Sequence, residues 1–133
     1  MRTRTGTRTP GRRRDRGTAS LEFLGMLPIL LLVALAGIQL GIVAYCGEQA
    51  GVAARAAART AAAHAPHPDP QQVGLDAVSG WLQGNTSIDP PSDGGDNSVT
   101  VSATVHIPSV LPGVHLFGPV TRRATMPKED TNP

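Results

Sequence analysis

The apolar and polar positions of this chain divide it into stretches of different period. From Phe23 to Cys46 there is no charged residue, and Gln39 is the only strongly polar side chain. At about 1.5 Å per residue this run reaches about 36 Å, more than the hydrocarbon core of a bilayer, about 30 Å. It is also longer than the apolar part of a cleavable secretory signal, about 7 to 15 residues. The pattern therefore predicts a membrane-spanning helix over 18–46. The alternative, removal at an A-x-A triplet such as Ala63-His64-Ala65, stays open. Pro28 removes one backbone donor and predicts a bend near Leu24, which a membrane helix tolerates. From Glu48 to Ala65 the text turns alanine-rich, and alanine is the best helix former, so the helix is expected to run on into water until Pro66 stops it.

Past the His64–Pro70 linker, Gln71 to Gln83 shows helical spacing, with Val73, Ala77 and Trp81 on one side and Val78 and Leu82 beside them. Gly74 and Gly80 weaken this helix, and Trp81 is its expected core anchor. Gly84 to Ser98 reads as a loop. Val99 to Ile107 alternates strictly, so Val99, Val101, Ala103, Val105 and Ile107 share one face of a strand. Pro108 to Gly113 turns, and Val114–Phe117 with Val120–Met126 form one interrupted strand or two short ones. The tail from Pro127 is polar and expected to fray. The fold class is α+β: a long N-terminal transmembrane helix extending into water, then a short helix and a small antiparallel β meander packed on it. The expected organisation is a basic leader over 1–17, the span over 18–46, the helix extension over 47–65 and a small outer domain over 66–133.

Charge sharpens this division. The leader carries seven Arg and one Asp, net +6, while residues 18–133 carry five basic and nine acidic groups, net −4. An Arg cluster invites a nucleic-acid reading, but one that abuts an apolar span is a topology signal. Short basic flanks stay cytoplasmic, which places the leader inside and the outer domain outside. Aromatic residues are few (Phe23, Tyr45, Trp81, Phe117), so a deep water-excluding cleft is hard to build. Cys46 is the single cysteine, so no internal disulfide forms. It reads as a passive apolar residue, with an intermolecular disulfide or a lipid attachment as alternatives.

Candidate contacts lie on the helix. Gly37 and Gly41 form a G-x-x-x-G pair extended by Ala44, a pattern that lets two helices approach closely. Gln39 faces another side. Glu48, Val52, Arg55 and Arg59 share a face further on, read as solvated, with a partner-binding stripe as the alternative. The shallow alanine faces suit close packing against another helix. Catalytic chemistry finds no support. His64, His67, His106 and His115 have no fixed geometry and no cysteine pair beside them, so no metal site is expected. The acidic, glycine-rich 89–97 segment lacks EF-hand ligand spacing and its closing Glu. No P-loop, G-x-S-x-G or H-E-x-x-H is present, so neither an enzyme, a cofactor nor a small-molecule substrate is expected.

Glu22 stands apart: one carboxylate at the mouth of the apolar run, five residues after Gly17. A charge at that place is costly without a partner. The text Gly17-Thr18-Ala19-Ser20-Leu21-Glu22-Phe23, behind a basic leader and ahead of an apolar helix, resembles the class III signal of type IV pilins and pseudopilins. More narrowly, the chain resembles TadE-like proteins of the tight-adherence (Flp) pilus system. There an Arg-rich leader precedes Gly-x-x-x-x-Glu-Phe, then Leu-Pro with a leucine run (here Leu27-Pro28-Ile29-Leu30-Leu31-Leu32), then an Ala/Arg-rich helix (here Ala53–Arg59). The resemblance is good over about residues 12–60 and loose beyond. It implies cleavage between Gly17 and Thr18 by a prepilin peptidase, an assembly role for Glu22 and Phe23, and partners among other pilins or TadE-like subunits. An unprocessed single-pass anchor with a small partner-binding outer domain is the competing reading.

Overall fold

A computed structural model describes residues 6, 15–65, 67–111, 113–115 and 117–130, with no account of the side chains of residues 15 and 16. The arginines of the leader through Arg14 and the stop assigned to Pro66 lie outside the described residues. The fold is α+β. Helix α1 runs unbroken over Asp15–Ala62, 48 residues with Pro28 inside. Two short helices follow, α2 (Pro70–Asp76) and α3 (Gly80–Gln83), then strands β1 (Thr86–Ile88), β2 (Ser92–Gly95), β3 (Ser98–Val105) and β4 (Val120–Pro127). The chain divides into two compact units, Met1–Gly37 and Ile38–Pro133, so α1 contributes to both.

In the first unit, every described side chain from Gly17 to Ala34 is exposed. Leu21 is 72% exposed and Leu24 65%. Among the described residues, α1 is the one helix long and apolar enough to cross a membrane.

The second unit is built around β3. Val99, Val101, Ala103 and Val105 are buried, while Ser98, Thr100, Ser102 and Thr104 face the other way. The strict alternation of the sequence is thus the burial pattern of the strand. β4 pairs antiparallel along the whole of β3, from Val105↔Val120 to Ser98↔Pro127. The opposite edge is shared by β1, beside Ala103–Val105, and β2, beside Ser98–Thr100. On the outer face, hydroxyl pairs join β3 to β4, Thr100 with Thr125 at 2.7 Å and Thr104 with Thr121 at 2.8 Å.

The inner face meets α1. Cys46, Ala50, Ala53, Ala54, Ala57 and Ala58 are fully buried in one core with Val78, Leu82, Ile88, Val101, Ala103, Val105 and Ala124. The alanine face expected to receive another helix is therefore occupied by the chain's own core. Short side chains let α1 lie close to its neighbours, which compensates for the scarcity of large apolar residues. Cys46 is fully buried too, which favours the passive reading of that thiol over a disulfide or a lipid attachment.

Five expectations need correction. The 71–83 helix is two helices, separated at Ala77–Ser79. The first is capped by Asp69, whose carboxylate accepts from Gln71 N at 3.2 Å, with Pro70 at its start. The break is held from α1: Ser79 N donates to Gln49 Oε1 at 3.0 Å, and Ser79 Oγ meets Tyr45 Oη at 2.6 Å. The buried side is one residue out of phase with the expectation, Gly74, Val78 and Leu82 rather than Val73, Ala77 and Trp81. Trp81 is 57% exposed, and Leu82 is the anchor. Gly74 hid this face because it has no side chain to count. A Cβ there would run into Ile88 Cδ1 and sit 3.0 Å from the Ala53 carbonyl oxygen, so the glycine permits close helix contact.

The 84–98 segment is not all loop. It contains β1 and β2, the latter joined to β3 by a two-residue turn with Asp96 at φ 47° and Asn97 at φ 57°. Positive φ at both central positions is the type I′ geometry that suits tight hairpins, so the acidic text serves a turn. Residues 114, 115 and 117 are in no strand, whereas 120–127 forms β4. The tail is held as far as Asp130: Lys128 N donates to Asn97 O, Glu129 N to Ala62 O, and Asn97 Nδ2 to Asp130 Oδ1.

Candidate assembly site

The candidate residues of the junction all fall in the first turns of α1. Thr18 and Glu22 are four apart, so they are neighbours on the helix surface. Gly17 precedes them within the same helical start. Glu22 and Phe23 are exposed, Phe23 at 63%. Glu22 stands seven residues past the helix start at Asp15, beyond the first turn whose unpaired amides favour a carboxylate.

The second set lies further along α1. One side of the helix is used inside the second unit: Gln39, Ile42, Val43, Cys46, Ala50, Ala53, Ala54, Ala57 and Ala58 recur at steps of three and four. At about 100° per residue, Gly41, Ala44, Glu48, Val52, Arg55 and Arg59 lie on the other side, and all six are exposed. Gly37, one turn before Gly41, is exposed as well. A Cβ at Gly37 or Gly41 would meet nothing within 4 Å. The small residues and the charged residues thus share a face directed away from the sheet, with room for close approach. Arg55 folds back over Gly51, its Nη1 3.2 Å from where a Cβ would stand.

Gln39 is where sequence reasoning fell short. It is buried, and its amide is used within the chain: Nε2 donates to Pro108 O at 3.4 Å, and Val110 N donates to Oε1 at 3.0 Å. The available signal was the 39–42–46–50–53–57 spacing, which places Gln39 at the head of the buried stripe. Asp89, Ser92, Asp93, Thr100, Ser102 and Arg123 line an open groove on the outer sheet face. Among the described residues, no three His, Cys, Asp or Glu side chains come together to hold a metal ion.

Comparison with known proteins meets this geometry at α1. Residues 17–59 match the family described as TadE-like protein. The match opens on Gly17, includes Glu22, and closes on Arg59, so it covers the exposed span and the alanine face but not the sheet. The resemblance drawn from the junction, the Leu-Pro run and the Ala/Arg helix is borne out over those residues. No curated protein and no solved structure matches the chain.

Proposed function

We propose that this chain is a minor pilin or pseudopilin-like subunit that supports assembly of a tight-adherence (Flp) pilus. The single observation that carries the reading is the TadE-like match opening on Gly17, near the start of a helix whose next 17 residues are exposed and apolar except for Glu22 and a few small polar side chains. The apolar helix and the family match together support a membrane location. In this reading the leader stays in the cytoplasm, α1 crosses the membrane, and the 66–133 domain stands outside. A prepilin peptidase cuts between Gly17 and Thr18. The chain is a substrate and a building part, with no reaction of its own.

The cut changes the electrostatics of the helix start. It removes the +6 leader and leaves an α-amino group on Thr18, one turn from Glu22. Within a bundle of helices in lipid, an amino group and a carboxylate are each expensive alone and cheaper when paired. Glu22 of one subunit meets the Thr18 amino group of a neighbour, and Phe23 and the exposed leucines bury against the same neighbour. The Gly37–Gly41–Ala44 stripe is the place of closest approach between helices.

N-terminal sequencing of the protein from its own membrane tests the processing. Thr18 at the terminus supports the reading; an intact leader leaves the single-pass anchor. Glu22→Ala tests the pairing: membrane insertion persists and co-purification with pilins is lost. Retention of that co-purification would sink the charge-pairing mechanism.

A further inference from the structure

The charged side chains of the second unit are sorted by place. Its arginines, Arg55, Arg59, Arg122 and Arg123, all lie on α1 and β4. Asp89, Asp93 and Asp96 follow one another along β2 and the turns that flank it. The two groups stand on opposite sides of β3, which pairs with β4 along one edge and with β1 and β2 along the other.

Three of the arginines form a row. Arg122 reaches from β4 over Gly47, its Nη2 3.5 Å from where a Cβ would stand, and Arg55 lies over Gly51 in the same way, its Nη1 at 3.2 Å. Gly47, Gly51, Arg55 and Arg59 are four apart, so they step along one side of α1. The guanidiniums of Arg122 and Arg55 therefore stand about 6 Å apart along the axis, and Arg59 follows one turn beyond Arg55. Like charges this close repel. All three are exposed, and none has an ion pair or hydrogen bond to the described residues. Arg123 is turned to the other face, into the groove with Asp89 and Asp93.

The acidic rim is the counterpart of this row. Asp93 is held by Lys128 at 3.7 Å, the one ion pair among the described residues. The Asp89 and Asp96 carboxylates are exposed and have no partner there. Asp89 N bonds Ser102 O, and Asp96 sits in the turn before Ser98, so the rim follows four residues of β3, about 13 Å. The row, from Gly47 to Arg59, follows about 18 Å of helix. The whole rim fits along it.

We propose that the Arg122, Arg55 and Arg59 row of one copy of this chain receives the Asp89–Asp96 rim of a second copy. Row and rim are opposite in charge and commensurate in length, and with β3 between them they make no ion pair within one chain. Because the two surfaces differ, the contact is heterologous: each copy keeps one free row and one free rim, and copies add end to end. The inference rests on the assembly reading above in taking a second copy as the partner. It uses the second unit alone.

The test uses the full chain with its leader intact, in detergent micelles, so that no Thr18 amino group is present. Sedimentation should show self-association that weakens as salt rises. Arg55→Glu with Arg122→Glu in one chain should weaken it about tenfold, since like charges then face each other across the contact. Asp89→Lys with Asp96→Lys in another chain should do the same. An equimolar mixture of the two should restore association, because each reversed surface then meets its complement. Resistance of buried Cys46 to a maleimide confirms that each variant is folded, and Arg55→Gln with Arg122→Gln repeats the loss without adding acid. An unaltered chain that does not associate would overturn the proposal. So would association indifferent to both reversals, for the span alone would then hold the copies together. A mixture that stays apart would overturn it as well, since the row would then serve some other acidic partner. Processing is read separately: the terminus found in the native membrane decides the pilin reading and does not alter the mixing result.

Discussion

One helix, α1, serves two units in opposite ways. Before Gly37 it presents leucine, isoleucine and phenylalanine on every side, and every described side chain from Gly17 to Ala34 is exposed. From Glu48 on its apolar content is mostly alanine, yet Ala50, Ala53, Ala54, Ala57 and Ala58 are fully buried. The more hydrophobic half is the uncovered one. Burial follows from what lies opposite rather than from residue hydrophobicity alone: small residues admit the sheet closely, while large ones all round the helix leave no polar face for water. Such a helix needs lipid or other helices, and the proposed assembly supplies both.

The comparison breaks most sharply under truncation of large apolar residues. Leu82→Ala should destabilise the outer unit by about 2–5 kcal/mol, since Leu82 is fully buried. Leu31→Ala, at an exposed position in the span, should leave that unit unchanged. The rate at which Cys46 reacts with a maleimide reads both, because a buried thiol reacts only when the unit opens, and about 1.4 kcal/mol is tenfold in opening. Equal acceleration by the two substitutions would refute the division.

Gly74→Ala comes next. On propensity alone it would stabilise a helix by about 1 kcal/mol. Contact with Ile88 and the Ala53 carbonyl reverses the sign, because a backbone atom cannot step aside, and a loss of about 1–3 kcal/mol is expected. Gly25→Ala, in the span, meets nothing within 4 Å and should not destabilise. Thiol reactivity again decides between them.

Gln39→Leu keeps the volume and removes the amide. Val110 N and Pro108 O lose their partner, at a cost of about 1–3 kcal/mol. Faster hydrogen exchange confined to the 108–117 segment is the expected reading, with β3 unaffected. Trp81→Leu should have the smallest effect, about 0.5–1.5 kcal/mol from the lost stacking on Tyr45, seen as a slight rise in Cys46 reactivity.

Much of this was legible in the chain. The long helix rests on an unbroken apolar run followed by an alanine-rich stretch, and β3 on strict alternation over Val99–Ile107, each long enough to name the element, while 120–126 was legible only as a strand joined to or separate from 114–117. The junction was legible because Gly17 and Glu22 are a local pattern, and the family match over 17–59 bears out the resemblance. The misreadings were short or phase-dependent. β1 and β2, three and four residues long, exist because β3 offers an edge to pair with. The break before Ser79 depends on Gln49 and Tyr45, which are remote in sequence.

The sequence by itself determined where the long helix lies, which strand forms the centre of the sheet, and where a carboxylate waits behind a glycine. These are properties of consecutive residues, set by local sterics and by the apolar period. Only the tertiary structure decided that the alanine face turns inward, that Leu82 and not Trp81 is the anchor, and that Gln39 holds the 108–110 backbone. Each of those depends on two segments meeting, and a buried amide or a missing Cβ acquires its role only from the atoms set against it.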